Sequence, residues 1–218
     1  MIIRPALRPD LRKIGEIHIK AFPKFFMTSL GPKFIVEYYS VVLDYLKKVF
    51  LVAEEDGRVL GFIAGFIEPH RFYSNLRRKV IKLGLFALPA LLKKPSLIIK
   101  IFNNLRRVSE FSSEEKKKCS ELASIGVNPK FSGQGLGKSL VNAFLEMSQK
   151  LGAEVVYLTT DASDNDKVNQ FYLSLGFKLN NTFLAYSNRL MNEYVFYLNQ
   201  NKDSNQAFLD STKGGNRR

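Results

Sequence analysis

Val127-Asn-Pro-Lys-Phe-Ser-Gly-Gln-Gly-Leu-Gly-Lys-Ser-Leu140 is the stretch whose reading decides the fold. A strand, Glu121–Val127, leads into it, and a helix, Gly135–Leu151, leads out of it. N–H groups at a helix start have no partner within the helix and carry partial positive charge. Gly133, Gly135 and Gly137 carry no side chains that would hold a phosphate away from those groups, so the run reads as a pyrophosphate cradle. A dinucleotide-binding turn would need G-x-G-x-x-G, whereas these glycines are spaced by two and two. A P-loop would end as Gly137-Lys138-Ser139 does, but Ser132 stands where its first glycine belongs. A purely structural turn is the remaining reading of the loop taken alone.

The flanking sequence supplies the context. Met1–Ala6 reads as a first strand, and Asp10 as the cap of a helix reaching Phe22 with Leu11, Ile14, Ile17 and Ala21 at helical spacing. Gly31-Pro32 precedes a second helix, Lys33–Leu46, with Phe34, Tyr38, Val41 and Val42 on its apolar face. Val49–Ala53 and Val59–Ile67 form a hairpin about Asp56-Gly57. From Glu68 to Lys118 short apolar helical stretches are broken by Pro89 and Pro95, and residues 69–118 read as a basic helical insertion. After the glycine loop come a buried strand, Glu154–Thr160, a helix, Asn165–Leu175, stopped by Gly176, and a last hairpin through Phe183–Tyr186 and Arg189–Leu198. Residues 1–200 read as one domain, and 201–218 as a polar, disordered tail.

Taken together these features resemble the GNAT N-acetyltransferase family. Ser132-Gly-Gln-Gly135-Leu-Gly137 is similar to its pyrophosphate motif, Q/R-x-x-G-x-G/A, with Ser132 replacing the usual Arg or Gln. Asn165-x-x-Val168-x-x-Phe171-Tyr172 followed by Gly176-Phe177 resembles its second signature, N-x-x-A-x-x-F-Y…G-F. The order of elements matches over roughly residues 1–198. The resemblance implies an α/β GNAT fold. Its central sheet is mixed, mostly antiparallel and splayed between strands 4 and 5; helices flank it, and the insertion lies between strands 3 and 4.

The resemblance also implies a chemistry: acetyl transfer from acetyl-CoA to a primary amine. Such a reaction needs a neutral amine, a polarised thioester, a protonated leaving thiolate and aligned reactants. It implies that Ser132, Gly133, Gln134, Gly135, Leu136, Gly137 and Lys138 hold the CoA pyrophosphate, with Lys130, Gln134 or Lys138 serving in place of the longer side chain that Ser132 does not supply. The pantetheine arm would pair with the fourth strand at Ile125 and Val127, and Gly126 would let the thioester approach. Tyr172 is the implied general acid toward sulfur, against the plain alternative of a core aromatic. Asn165 would hold the pantetheine or a water, a role compatible with capping the helix. Glu121 is the candidate base; strand alternation puts it on one face with Ala123, Ile125 and Val127, and its ordinary alternative is a solvated strand end. Asp161, a water relay and His18 are rival bases, and His70 reads as a loop residue.

Composition narrows the class. A hydrophobic content of 45% suffices for a sizeable core. The sole cysteine, Cys119, and two histidines, His18 and His70, leave no disulfide framework and argue for no metal. The opening MIIRPALRPDL has no long apolar run, and the longest such run, Leu83–Leu92, is half the length of a membrane span, so a cytoplasmic protein is expected. Net charge is +13, and residues 69–118 hold thirteen Lys/Arg against three Glu. This surface attracts anions. An amino sugar on a nucleotide or lipid phosphate suits it as acceptor, peripheral contact with an anionic membrane is consistent with it, and no nucleic-acid motif is present. Phe22, Phe25 and Phe26 are candidates to stack on such an acceptor, or are simple packing residues. The competing reading is a non-catalytic GNAT-fold binding module or a basic nucleic-acid-associated protein. The oligomeric state is not legible.

Overall fold

Seven strands form one sheet in the computed structural model, which describes residues 1–23, 25–93, 118–185 and 189–198. In chain order the strands are β1 (Ile2–Pro5), β2 (Lys48–Glu55), β3 (Arg58–Ile67), β4 (Cys119–Val127), β5 (Val155–Asp161), β6 (Lys178–Ala185) and β7 (Arg189–Tyr197). Across the sheet the order is β1-β2-β3-β4-β5-β7-β6. Only β4 and β5 run parallel; every other neighbouring pair is antiparallel. Asp56 and Gly57, at φ 50° and 72°, make the tight turn between β2 and β3 that the sequence predicts.

Helices cover both faces. On one lie α1 (Leu11–Ala21), α2 (Phe26–Ser29), α3 (Pro32–Asp44), α4 (Pro69–Arg78) and α5 (Val80–Lys93). On the other lie α6 (Leu136–Lys150) and α7 (Asp166–Ser174). Leu136, Leu140, Phe144 and Ser148 recur every fourth residue along α6 and are buried, as a helix flat against a sheet requires. Leu136, Leu140 and Phe144 pack with Leu51, Ile63, Leu122, Val156, Tyr172 and Tyr194 into one core layer. Ile14, Ile17, Ile35, Tyr39, Phe62, Phe66 and Phe72 form the other.

Some local expectations change. Asp10 ends a short 3-10 turn, and its carboxylate does not cap α1; it accepts from the Arg4 guanidinium at 2.7 and 3.0 Å and from the Leu7 N–H at 2.8 Å. That pairing holds the Asp10 carboxyl below the usual carboxylate range. The second helix begins at Pro32, whose fixed φ suits a first turn. Its buried positions are Ile35, Tyr39, Val41 and Val42, which leaves Phe34 and Tyr38 at the margin of the core. Pro89 does not break α5 but lies inside it. It is exposed, so water can satisfy the carbonyl one turn earlier that loses its donor. His70 falls in the first turn of α4 and not in a loop. Pro95, the remainder of the insertion at 94–117 and the tail at 201–218 lie outside the described residues.

Candidate active site

Where β4 and β5 part is the geometric centre of the site. They pair over three residues only, Cys119 with Val155, Ser120 with Val156 and Glu121 with Tyr157. Beyond that point β5 stays on β7 as far as Asp161 and β4 stays on β3 as far as Val127. The two strands therefore diverge, and the β5-facing edge of Leu122–Val127 has no ladder partner among the described residues. The start of β4 is fixed at the other end, where the buried Ser120 and Ser148 hydroxyls lie 3.0 Å apart.

A β-bulge changes which side chains share a face. The register with β3 runs Ala64 to Ser124 and then Gly65 to Leu122, which leaves Ala123 as the extra residue. Leu122, Ile125 and Val127 join the core under α6 and α7. Glu121 and Ala123 turn to the face of α3 and α4. Strict alternation, which groups Glu121 with Ile125 and Val127, is therefore overturned by one inserted residue. Gly126 is buried, and a Cβ there would meet the Phe62 ring at 2.7 Å. Phe62 therefore fills the side-chain space at Gly126, so the glycine is needed for core packing; only its backbone is available to the gap.

The glycine loop leaves β4 through a 3-10 turn, Pro129–Phe131, capped by the Asn128 side chain, which accepts from the Lys130 N–H at 3.2 Å. Gly133 and Gly135 sit at φ 80° and 79°, backbone that L side chains rarely adopt. No atom lies within 4 Å of a Cβ built on either, so the backbone is open from that side. Ser139 N–H makes the first helical bond, to the Gly135 carbonyl at 3.0 Å, so the amides of Leu136, Gly137 and Lys138 precede the ladder of α6. Ser132, Gln134, Lys130 and Lys138 are exposed around them. An anion with several oxygens fits this arrangement. Gly137 has a packing role: a Cβ there would touch Phe171 at 3.3 Å, so the two sequence signatures meet in space.

Tyr172 is on α7, buried, with its ring against Phe171, Phe177 and Tyr194 at centroid distances of 5.2, 5.6 and 6.2 Å. Burial pushes its hydroxyl well above the usual phenol value, which keeps it protonated. Asn165 occupies the N-cap position of α7, but its side chain does not cap. Its amide donates to Thr160 Oγ1 at 2.8 Å and the Asp161 carbonyl at 3.1 Å, and Asn169 donates to that same carbonyl at 3.1 Å. Both asparagines thus tie α7 to the end of β5. Arg189 grips the Asp161 carboxylate at 2.6 and 2.7 Å while its guanidinium lies 5.7 Å from the Phe25 ring centre. Both Asp161 carboxylate oxygens are thus committed to Arg189. The Phe22 and Phe25 rings pack together at 5.3 Å.

On the opposite face Glu121 is half-buried at the fork. Tyr73 of α4 donates to its Oε1 at 2.8 Å, and Tyr157 of β5 donates to its Oε2 at 2.9 Å. Glu121 is therefore not a solvated strand end. Burial, and then the Glu121 charge, push the Tyr73 hydroxyl far up; Tyr38 of α3 is raised by the same two causes. None of these three tyrosines was expected at the site, and Tyr38 was expected only on the apolar face of its helix, because nothing local marks side chains drawn from a helix, an insertion and a later strand. His18 is buried to 1% exposure, its Nδ1 2.8 Å from the Tyr39 hydroxyl and its Nε2 without a partner. Burial lowers its pKa to about 4, so the ring is neutral at pH 7. Among the described residues no group of three or more His, Cys, Asp or Glu side chains could hold a metal ion.

Residues 11–177 match the Acetyltransferase (GNAT) family. The chain belongs to that family. A stretch of 67 residues is 34% identical to an uncharacterized N-acetyltransferase of Methanocaldococcus jannaschii, covering 31% of this chain and 29% of that relative's length. Among solved structures, YncA of Salmonella typhimurium, determined with its cofactor acetyl-CoA, superposes with a TM-score of 0.60 at 17% identity, over 91% of this chain and 94% of that one. The ribosomal-protein-alanine N-acetyltransferase of Brucella melitensis gives 0.60 at 16%, over 90% and 99%. At such identities these two structures speak for the GNAT fold, whose splayed sheet is the one described above.

Proposed function

We propose that this protein transfers an acetyl group from acetyl-CoA to the primary amine of a small acceptor. The observation that carries the reading is the three-residue β4–β5 pairing, which opens a gap between an exposed glycine loop on one side and a tyrosine-held carboxylate on the other. Acetyl-CoA would supply the acyl thioester and a thiolate leaving group. The amides and side chains of Ser132–Lys138 would hold its pyrophosphate, and the backbone of Ile125, Gly126 and Val127 would pair with the pantetheine arm. Tyr172, kept protonated by burial, would give its proton to the sulfur. Asn165 would act through its hold on the end of β5.

On the acceptor side Glu121 takes the amine proton, directly or through a water. The phenol donors on both its oxygens fix its direction. His18 is a weaker choice, since a ring with a pKa of about 4 binds a proton poorly at neutral pH. A negatively charged acceptor bearing an amine, such as an amino sugar on a nucleotide or lipid phosphate, suits the +13 chain. Calorimetric titration with acetyl-CoA comes first: micromolar binding is expected, and its absence would leave a vestigial site and a binding module. A thiol-release assay over a panel of amines and amino sugars follows; binding without turnover on any amine would remove the transferase reading.

A further inference from the structure

Helix α5 carries its apolar residues on two sides. Leu83 and Ala87 face inward and are buried, against the cores built by α3 and Leu30. Ile81, Leu85, Leu88 and Leu92 are 79%, 66%, 47% and 75% exposed. At 100° per residue these four fall within about 60° of one another, so they form one outward ridge along three turns. A soluble surface scatters single apolar residues; a continuous ridge of four marks a contact. Between Pro69 and Lys93 the sequence has six Lys/Arg and no Asp or Glu. Lys82 is paired with Glu37 at 2.7 Å and Lys79 lies 3.8 Å from Asp44, both partners coming from α3. Arg71 is likewise held by Glu68 at 2.9 Å, and setting these three pairs aside leaves Arg78 and Lys93 exposed beside the two ends of the ridge.

An apolar ridge bordered by basic residues on a helix too short to span a bilayer is the composition of an interfacial helix. No helix among the described residues is long and apolar enough to cross a membrane. We infer that α5 is a peripheral docking surface for an anionic lipid bilayer, with Ile81, Leu85, Leu88 and Leu92 entering the headgroup boundary and Arg78 and Lys93 meeting acidic headgroups. The charge selects this occupant: a second copy of a +13 chain would bring like charge to a cationic surface. The inference stands apart from catalysis, because none of these residues belongs to the site above.

The test is co-sedimentation of the full chain with vesicles of phosphatidylcholine alone or with 30% phosphatidylglycerol, at low and high salt. Binding is expected to the anionic vesicles, weakened by salt because contacts to exposed headgroups are screened. Leu85→Gln with Leu88→Gln keeps helix propensity and charge; it should lower the partition coefficient at least about tenfold while leaving melting temperature and acetyl-CoA affinity unchanged. Arg78→Glu with Lys93→Glu should lower anionic binding and flatten the salt dependence. No binding to anionic vesicles, or binding that the Gln variant leaves intact, overturns the inference. A concentration-dependent dimer seen by light scattering and abolished by the Gln variant also overturns it, in favour of self-association.

Discussion

The two faces of the sheet are built on different principles. Under α6 and α7 the chain places consecutive motif residues, so the loop Ser132–Lys138 and the pair Phe171-Tyr172 assemble from two short stretches that touch at Gly137. Under α1, α3 and α4 the site is made from single residues: Glu121 from β4, Tyr157 from β5, Tyr73 from the insertion and Tyr38 from α3. A nucleotide-bearing thioester is the same molecule for every enzyme that uses it, and one backbone cradle serves. An acceptor varies, and side chains from separate elements can be exchanged one at a time. The first face is thus written locally and the second is composed by the fold.

Substitutions on each face test this contrast, and the largest effect belongs to the motif side. Tyr172→Phe keeps the ring packed and removes the hydroxyl, so kcat should fall about 10²–10⁴-fold with the acetyl-CoA Kd unchanged. Single-turnover kinetics would check it; an unchanged chemical step would move the acid elsewhere. Next comes a stability effect on the composed face. His18 has its pKa lowered to about 4 by burial, below the 6.5 of an unfolded histidine. The unfolded chain therefore binds the proton first as pH falls. The stability contribution is complete above about pH 6.5 and is lost progressively toward pH 4, about 3 kcal/mol in all. His18→Gln cannot charge, and urea midpoints for it should lose that part of the decline; equal pH slopes in both proteins would refute a buried neutral ring.

Gly135→Asp sets a carboxylate at the loop in a backbone region that Asp tolerates better than most residues. Acetyl-CoA binding should weaken about ten- to hundredfold by like-charge contact, with the melting temperature lowered by the strain of a side chain at this φ. Normal affinity in a folded variant would remove the pyrophosphate site. The smallest effect is expected from Tyr73→Phe. One of the two donors that orient Glu121 is removed, so kcat/KM should be about three- to tenfold lower at pH 7. An unchanged kcat/KM would make Tyr73 a packing residue only.

This contrast also explains what the sequence could and could not tell. Glycine spacing, helical periodicity and the Asp56-Gly57 turn are local signals that mark the strands and helices, whereas the mixed sheet and its splay were legible only through the family resemblance that the two motifs carry. Glu121 was legible as a carboxylate at the start of β4, but not its face, because a bulge at Ala123 has no composition of its own. Asn165 was legible as the residue before a helix, yet its amide bonds backward to Thr160 and Asp161 instead of forward into the helix. Gly126 read as room for a ligand and is room for Phe62. The departures at Ala123 and Gly126 involve partners distant in sequence, Gly65 and Phe62, which no window of neighbouring residues contains; that at Asn165 reaches only four and five residues back, to where β5 ends.

Ala123 has a consequence for how this site can be inherited. Opposite it, Gly65 admits no side chain, since a Cβ there would lie 2.0 Å from the Glu121 carbonyl oxygen and 2.6 Å from the Phe144 ring. The close approach at Gly65 therefore belongs to the bulge. Removing Ala123 would restore plain alternation with Glu121 and Ile125 still on opposite faces, so the bulge is the one place where β4 can lose a residue without turning side chains over. A deletion between Glu121 and the bulge, with the bulge kept, would instead put Ser120 where Glu121 lies beneath Tyr73, because a slip of one residue carries every side chain to the other face.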